Sequence, residues 1–209
     1  FSTSFSGSEV FTPESFAAKL DSATGHTSGH SEVYFVDLNN DNKLDVLVTG
    51  ANGFTVFRNT STGNGELALA PRQNFFTNYF SKKAAYADID GDGRQDVIIA
   101  DWSTKAAVAR NISTGSTIAF DTLVTMTTSD QPGSIAVADL DGDGKPDLAV
   151  SNYLRSNVSV FRNTTIGGAI SFTPKTDYPV ISGPYDVKLD DLDNDGKPEI
   201  LHGEFGGWV

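Results

Sequence analysis

The chain has 209 residues, 38% of them hydrophobic, and this composition excludes a disordered protein because it supplies a sizeable core. It has no cysteine and no apolar run near 18 residues, which excludes a disulfide framework and a membrane-spanning helix. The net charge of −12 excludes nucleic acid and anionic membranes as partners, since these are bound by clustered Lys and Arg, and makes cations the expected ligands.

The N-terminal 30 residues carry little regular pattern. Residues 13–20 (PESFAAKL) have helical character but form a short segment. Residues 11–13 (FTP) resemble residues 172–174 (FTP), which predicts that the N-terminus is the last strand of a preceding structural unit. Residue 1 is Phe and no signal peptide is visible, so we expect a processed product or an excerpt of a longer polypeptide.

From residue 37 onward the chain repeats one acidic pattern, D-x-[DN]-x-D-[GN]-x-x-[DE]. The four copies start 51, 51 and 52 residues apart. A fixed period in this range is typical of propellers and solenoids. The copies are loop 1 (residues 37–45, DLNNDNKLD), loop 2 (88–96, DIDGDGRQD), loop 3 (139–147, DLDGDGKPD) and loop 4 (191–199, DLDNDGKPE).

Each period contains patterns for four short strands. First strands are expected at residues 33–36, 84–87, 135–138 and 186–189, and second strands at 46–48, 97–99 and 148–150. Third strands are expected at 54–58, 106–110 and 158–162, and fourth strands at 67–70, 118–123 and 170–173. Four strands per period fit one propeller blade, so we predict an all-β fold of about three and a half four-stranded blades that belongs to a larger ring.

The predicted domain organisation is a single β-propeller segment over residues 1–209. Its divisions are residues 1–30 (the end of a preceding blade plus a linker), 31–80, 81–131, 132–183 and a partial blade at 184–209. An open arc would leave apolar blade faces bare. We therefore expect further blades from the same chain or from another one.

The acidic loops have the spacing of calcium ligands. Oxygen atoms at positions 1, 3 and 5 of a tight loop converge on one point, position 7 offers its backbone carbonyl, and position 9 closes the cage. Position 6, which is Gly or Asn, must turn sharply. The predicted ligands are Asp37, Asn39, Asp41, Lys43 and Asp45 in loop 1; Asp88, Asp90, Asp92, Arg94 and Asp96 in loop 2; Asp139, Asp141, Asp143, Lys145 and Asp147 in loop 3; and Asp191, Asp193, Asp195, Lys197 and Glu199 in loop 4.

Two other interpretations of these loops were compared with a calcium site. An EF-hand needs a bidentate Glu at position 12, where the chain has Val48, Ile99, Val150 or His202, and it needs helical flanks. Plain Asx-turns without metal explain one isolated loop, but four loops in register favour metal. The loops hold 15 of the 27 Asp and Glu, and up to four Ca²⁺ ions, one per loop, would bring the net charge from −12 to −4.

The sequence resembles the FG-GAP or VCBS-type repeats, which are also found in the propeller of integrin α-subunits. The resemblance rests on the four loops, on SIAVADLDGDGKPDLAVSN (residues 134–152) and on VSVFRNTT (residues 158–165), and it extends from about residue 11 onward. It implies calcium in the loop between the first and second strands of each blade, and a secreted or cell-surface location. Loop 1 departs by having Asn at positions 3 and 6, and loop 4 by having Glu at position 9.

Other residues suggest a second working face, opposite the calcium loops. Six residues after position 9 of loops 2, 3 and 4 come Trp102, Tyr153 and Phe205, with Lys105, Arg155 and Trp208 nearby. Such aromatic residues bind sugars or anchor a protein, or else they pack between blades. His26 and His30 are expected in a solvated loop and His202 in a packed strand. Asn59, Asn111, Asn157 and Asn163 lie in N-x-[ST] sequons, of which three recur with the blade period, so we interpret them first as turn residues.

No catalytic motif appears, and nearly all clustered carboxylates are assigned to calcium, so we expect no enzyme activity. The expected function is a calcium-stabilised binding or scaffolding module of a larger secreted or cell-surface protein, of the adhesin or surface-filament type. The alternative is a carbohydrate-binding propeller or a non-catalytic part of a polysaccharide-degrading enzyme. A third class is an enzyme whose site lies in further blades. A protein or glycan ligand is expected on the face opposite the loops.

Overall fold

The computed structural model describes residues 32–63, 66–77, 81–101 and 103–204. Within these ranges the chain forms fourteen β-strands and one 3-10 turn, Tyr153–Arg155. The predicted all-β class is therefore confirmed. The strand expected at residues 11–13 and the helical pattern at residues 13–20 lie outside the described residues.

The strands form four antiparallel sheets, in each of which chain order equals spatial order. Blade 1 contains β1 (Val33–Val36), β2 (Asp45–Gly50), β3 (Gly53–Phe57) and β4 (Gln73–Phe76). Blade 2 contains β5 (Ser81–Ala87), β6 (Asp96–Asp101), β7 (Lys105–Asn111) and β8 (Phe120–Thr127). Blade 3 contains β9 (Pro132–Ala138), β10 (Asp147–Asn152), β11 (Asn157–Phe161) and β12 (Thr176–Pro179), and blade 4 contains β13 (Pro184–Asp190) and β14 (Glu199–Glu204). Three complete blades and half of a fourth match the predicted architecture.

The predicted fourth strands were wrong in position in blades 1 and 3. In blades 1 and 3 the segments at 67–70 and 170–173 make isolated bridges, and the outer strands β4 and β12 come later. Pro71 and Pro174 separate each bridge from the strand that follows it. Proline has no N–H to donate, so the ladder breaks there. Blade 2 has no proline at this place, and β8 runs unbroken over eight residues.

The hydrophobic core lies between neighbouring blades. Because side chains alternate along a strand, one face of each blade packs on the previous blade and the other face on the next. Val97 and Ile99 of β6 pack against blade 1, whereas Ile98 between them packs against blade 3. A smaller cluster that includes Ala149 and Val187 joins blades 3 and 4. The second strands β6 and β10 are buried along their whole length, as the middle of a blade requires.

The first strands are the innermost ones and come together through polar side chains. Lys83 Nζ of β5 lies 3.1 Å from Asp186 Oδ1 of β13 and 4.0 Å from Glu32 Oε1 beside β1. The hydroxyl of Ser134 in β9 donates to the same Asp186 oxygen at 2.6 Å. Burial opposes ionisation of Asp186, but the bonds from Ser134 and Lys83 hold the pKa of its carboxyl below the ordinary value. All four blades therefore contribute to one region beside the innermost strands.

Candidate metal centres

The four acidic loops join the first and second strands of their blades and follow one another along one face. Asn40 Nδ2 in loop 1 donates to Gly93 O in loop 2 at 3.0 Å. Loops 2 and 3 face each other across a groove of about 270 Å³, and loops 3 and 4 across one of about 250 Å³. Strands flank every loop, so the EF-hand interpretation is excluded on the structure as well as on position 12.

Backbone N–H groups hold the carboxylate at position 1 of each loop. In loop 2, Asp88 Oδ1 accepts hydrogen bonds from the N–H groups of Gly91 at 2.8 Å and Asp92 at 3.0 Å. Asp88 Oδ2 accepts a third from Gly93 at 2.8 Å. The corresponding bonds from positions 5 and 6 are made to Asp37, Asp139 and Asp191. The loop backbone therefore fixes this side chain before any ligand binds.

Two residues in each loop adopt the left-handed conformation that this wrapping requires. Position 6 has φ between 62° and 88°, as predicted for Gly or Asn there. Position 4 also has positive φ, from 57° to 78°, which the sequence reading missed. The signal was present, because position 4 is Asn or Gly in all four loops, and these are the residues that tolerate this conformation. The residues at position 4 are Asn40, Gly91, Gly142 and Asn194.

In loops 1, 2 and 3 the carboxylate at position 9 is buried beneath its loop and closes it. Asp96 is fully buried; its Oδ2 accepts the N–H of Ile89 at 2.9 Å and its Oδ1 accepts the N–H of Asn111 at 2.7 Å. Asp45 and Asp147 make the same pair of bonds, and Glu199 accepts the N–H of position 2 in loop 4. In loops 1, 2 and 3, position 9 thus ties the loop to the end of the third strand of its own blade.

Burial changes the protonation of these position 9 groups. Loss of water raises the pKa of Asp96 to about 6, and it also raises the pKa values of Asp45 and Asp147. Two backbone hydrogen bonds oppose the effect in each case, and the other loop carboxylates add to it. Without a cation, burial therefore makes ionisation less favourable at position 9 of loops 1, 2 and 3.

An asparagine whose N–H is bonded to the position 9 carboxylate of its own blade links loops 1 and 2 to the next blade. Asn111 Nδ2 in blade 2 donates to Leu38 O, in loop 1, at 2.8 Å. Asn163 Nδ2 in blade 3 donates to Ile89 O, in loop 2, at 2.9 Å. Both asparagine residues are fully buried, so in the folded protein their amides are inaccessible to glycosylation. The Oδ1 of each also accepts the N–H of the residue two positions later, as expected for a turn residue, and the link between blades is a second role that the turn interpretation did not include.

Three loops bring acidic groups close enough to share a metal ion. In each cluster one oxygen from positions 1, 3 and 9 lies within 4.8 Å of the others. The clusters are Asp88, Asp90 and Asp96; Asp139, Asp141 and Asp147; and Asp191, Asp193 and Glu199. The position 5 carboxylates, predicted as ligands too, lie outside these clusters and accept the N–H of position 7 at 2.9 to 3.0 Å.

Loop 1 offers a different donor. Asn39, at position 3, is 6% exposed. Its Nδ2 donates to Gly115 O of blade 2 at 2.7 Å and to Asp41 Oδ2 at 3.2 Å. Its Oδ1 is buried and has no hydrogen-bond partner. A buried carbonyl oxygen without a donor costs free energy, and a cation in loop 1 would supply the missing partner.

The donor set fits Ca²⁺. Positions 1, 3 and 9 present carboxylate oxygens, or one amide oxygen in loop 1, and no nitrogen or sulfur ligand accompanies them within the described loops. Hard oxygen donors of this kind suit Ca²⁺ rather than Zn²⁺ or copper. A bound Ca²⁺ ion would supply positive charge at the point where the carboxylates converge. The backbone carbonyls at position 7 remain a prediction.

The residues proposed for the opposite face are only partly described. Tyr153 lies half-buried and packs edge-on against Tyr185, at a ring-centroid distance of 6.3 Å. Gly183 lies so close that an added Cβ would be 2.7 Å from Tyr153 O. Tyr153 therefore packs between blades 3 and 4, which favours the packing interpretation for this residue. Arg155 pairs with Asp130, its Nη2 lying 2.5 Å from Asp130 Oδ2.

The remaining candidates have separate outcomes. Trp102, Phe205, Trp208, His26 and His30 lie outside the described residues. His202 lies in β14 opposite Val187 of β13, as expected for a packed strand position. Its Nδ1 is buried without a hydrogen-bond partner.

Comparisons with known proteins agree with this geometry. The family model for the FG-GAP-like repeat matches the chain three times, over residues 37–99, 88–150 and 141–202. Curated proteins gave no match. In the part of the chain that the structure describes, no helix has the length and apolar character needed to span a membrane. Each family match begins within an acidic loop and ends in a second strand, and together they cover most of the sequence. The chain therefore belongs to the FG-GAP-like repeat family.

Proposed function

We propose that the chain is a calcium-stabilised binding or scaffolding module of a larger extracellular protein, of the adhesin or surface-filament type. The main support is the row of converging carboxylates: in three loops, one oxygen from each of three acidic residues lies within 4.8 Å of the other two. Family membership supports an extracellular binding role, which is typical of such repeats. Up to four ions are proposed, one per loop.

Calcium has a structural role in this proposal. Carboxylates this close repel one another, and in loops 1, 2 and 3 one of them is buried, which opposes its ionisation. A divalent cation offsets both costs and holds together the hairpin made by the first two strands of a blade. Since Asn111 and Asn163 connect loops 1 and 2 to the blades that follow them, stabilising either loop also stabilises a junction between blades.

The test is a thermal melt with and without calcium. A site occupied at about 100 times its Kd adds about 2.7 kcal/mol to the free energy of unfolding, which corresponds to roughly 5 to 10 °C in Tm for a chain of this size. We expect Tm to fall by at least this amount when EGTA removes calcium, and to recover with Ca²⁺ but much less with Mg²⁺, which binds such loops reluctantly. A Tm that calcium leaves unchanged would contradict the metal assignment.

The proposed partners follow from the architecture. Blade 4 contains two strands in the described part of the chain, so we propose that further blades, from this polypeptide or another, continue the ring. We also propose a protein or glycan ligand on the face opposite the calcium loops, and neither nucleic acid binding nor membrane insertion. The high negative charge supports the last two points.

Catalysis is not part of the proposal, because the clustered carboxylates are assigned to calcium and the described face opposite them offers no second cluster of acidic groups. The glycan alternative was based on the aromatic residues Trp102, Tyr153 and Phe205, and of these Tyr153 packs against Tyr185. A glycan array, probed with wild type and with Tyr153→Ala, tests whether Tyr153 contributes to glycan binding. Binding that disappears in the variant, while the melt is unchanged, would restore that alternative.

A further inference from the structure

Two calcium loops are paired with an arginine from the third strand of their own blade. Arg110 Nε lies 2.5 Å from Asp90 Oδ2, and Arg110 Nη2 lies 3.4 Å from Asp92 Oδ2, in loop 2. In loop 3, Arg162 Nε contacts Asp141 Oδ2 and Arg162 Nη2 lies 3.1 Å from Asp143 Oδ2. Each arginine precedes the linking asparagine by one residue, so the strand register places it over positions 3 and 5.

Blade 1 has the same arginine without the same pair. Arg58 precedes Asn59 as Arg110 precedes Asn111, but loop 1 carries the neutral Asn39 at position 3. In the described part of the chain Arg58 makes no ion pair, whereas the two arginine residues facing an Asp at position 3 both do. The pairing therefore follows the charge at position 3, and loop 1 provides a matched comparison.

The arginine adds charge rather than orientation. Asp90 Oδ1 already accepts the N–H of Asp92 at 3.2 Å, and Asp92 Oδ1 accepts the N–H of Arg94 at 3.0 Å. The backbone thus fixes both carboxylates through one oxygen each, and Arg110 pairs with the other oxygen, which in Asp92 also pairs with Arg94 Nη2. Removing the guanidinium would leave these carboxylates aimed as before but with one positive charge fewer beside them.

Burial makes the effect stronger in loop 2 than in loop 3. The Asp90 side chain is 0% exposed and that of Arg110 is 30% exposed, compared with 34% for Asp141 and 53% for Arg162. A hairpin turn of blade 3 covers the first pair, since a Cβ added at Gly168 would lie 3.3 Å from Arg110 Nη2. Water screens an exposed pair more than a covered one.

We propose that Arg110 and Arg162 are internal counter-ions that set the calcium affinity of loops 2 and 3. Each neutralises part of the carboxylate charge, which stabilises the calcium-free loop and weakens calcium binding by electrostatic repulsion. This inference rests on the proposed calcium function. It predicts an order among the three arginines, with Arg110 having the largest effect, Arg162 a smaller one and Arg58 almost none.

The experiment measures calcium affinity loop by loop in the intact chain. Methionine keeps the length of the arginine stem and removes its charge, so the variants are Arg110→Met and Arg162→Met, with Arg58→Met as the matched control. The amides of Gly93 and Gly144, each bonded to the position 1 carboxylate of its loop, serve as ¹⁵N NMR reporters during titration with CaCl₂ against a competing chelator. Melts in calcium-free buffer give the stability of the empty loops.

We expect Arg110→Met to tighten calcium binding in loop 2 by roughly tenfold, and Arg162→Met to tighten calcium binding in loop 3 by about threefold. These values follow from removing one unit of positive charge near the ion in a partly screened site. Arg58→Met should change affinity in either loop by less than about twofold. In calcium-free buffer Arg110→Met should melt below Arg58→Met. Arg110→Lys, which restores the charge, should return both values towards wild type.

Two results separate the inference from the proposed function. If wild type binds calcium and Arg110→Met binds it equally or more weakly, the counter-ion role is overturned while the calcium function stands. If the wild-type amides do not respond to calcium, the proposed function fails and the inference fails with it. Binding in Arg110→Lys as tight as in Arg110→Met would also overturn the inference, because the charge would then not be the cause.

Discussion

Replacing Asn111 by alanine tests how the blades are joined. The change removes three hydrogen bonds: from Nδ2 to Leu38 O at 2.8 Å, from Nδ2 to Gln95 O at 2.9 Å, and from Ser113 N–H to Oδ1 at 2.9 Å. A hydrogen bond contributes about 1 kcal/mol net, and a buried group left without a partner costs about 1 to 3 kcal/mol. We expect Asn111→Ala to lower the free energy of unfolding by about 3 to 5 kcal/mol, a large part of a typical total.

Asn59→Ala is the matched control. Asn59 Nδ2 donates to Leu44 O at 3.1 Å and Asn59 Oδ1 accepts the Ser61 N–H at 3.0 Å, but it makes no bond to another blade within the described residues. At partly exposed positions the loss should be about 1 to 2 kcal/mol. Urea unfolding in excess calcium, followed by tryptophan fluorescence and circular dichroism, gives both values. Equal losses in the two variants would refute a link between blades that contributes to stability.

Three further predictions concern charge, packing and loop 1. In calcium-free buffer the protein should lose stability as pH rises from about 4 to above 6, by on the order of 3 kcal/mol from Asp96 alone. The reason is that the folded state binds the proton of the Asp96 carboxyl more tightly than the unfolded state, in which its pKa is near 3.8. Urea unfolding at pH 4.5 and 7 measures this loss, and saturating calcium should reverse the trend. Gly183→Ala should lower Tm by several degrees more than Gly142→Ala, since a Cβ at residue 183 would meet Tyr153, whereas Gly142 faces open space at φ 78°. Equal Tm values in the two variants would contradict the packing of Tyr153 between blades 3 and 4. Asn39→Asp should enlarge the calcium-dependent shift in Tm, because it restores a carboxylate to a buried position, and an unchanged shift would count against a metal in loop 1.

The local parts of the candidate site were readable from spacing. Alternate acidic residues and a Gly or Asn at position 6 predicted the loops, because nine consecutive residues contain both the ligands and the turn that gathers them. Strand positions beside the loops were right for the same reason. The fourth strands of blades 1 and 3 begin later than predicted, because Pro71 and Pro174 break the ladder. The pattern at position 4 was visible but not interpreted.

The sequence by itself determined the repeat, the class of each blade and the composition of every acidic loop, because these depend on neighbours within one period of about 51 residues. Only the tertiary structure decided which blade contacts which loop. Asn111 lies 73 residues from its acceptor Leu38, and the turn at Gly168 covers an arginine of the preceding blade. Such contacts depend on how far apart two packed sheets lie and on which strand faces outward, and no spacing within a single repeat encodes that distance.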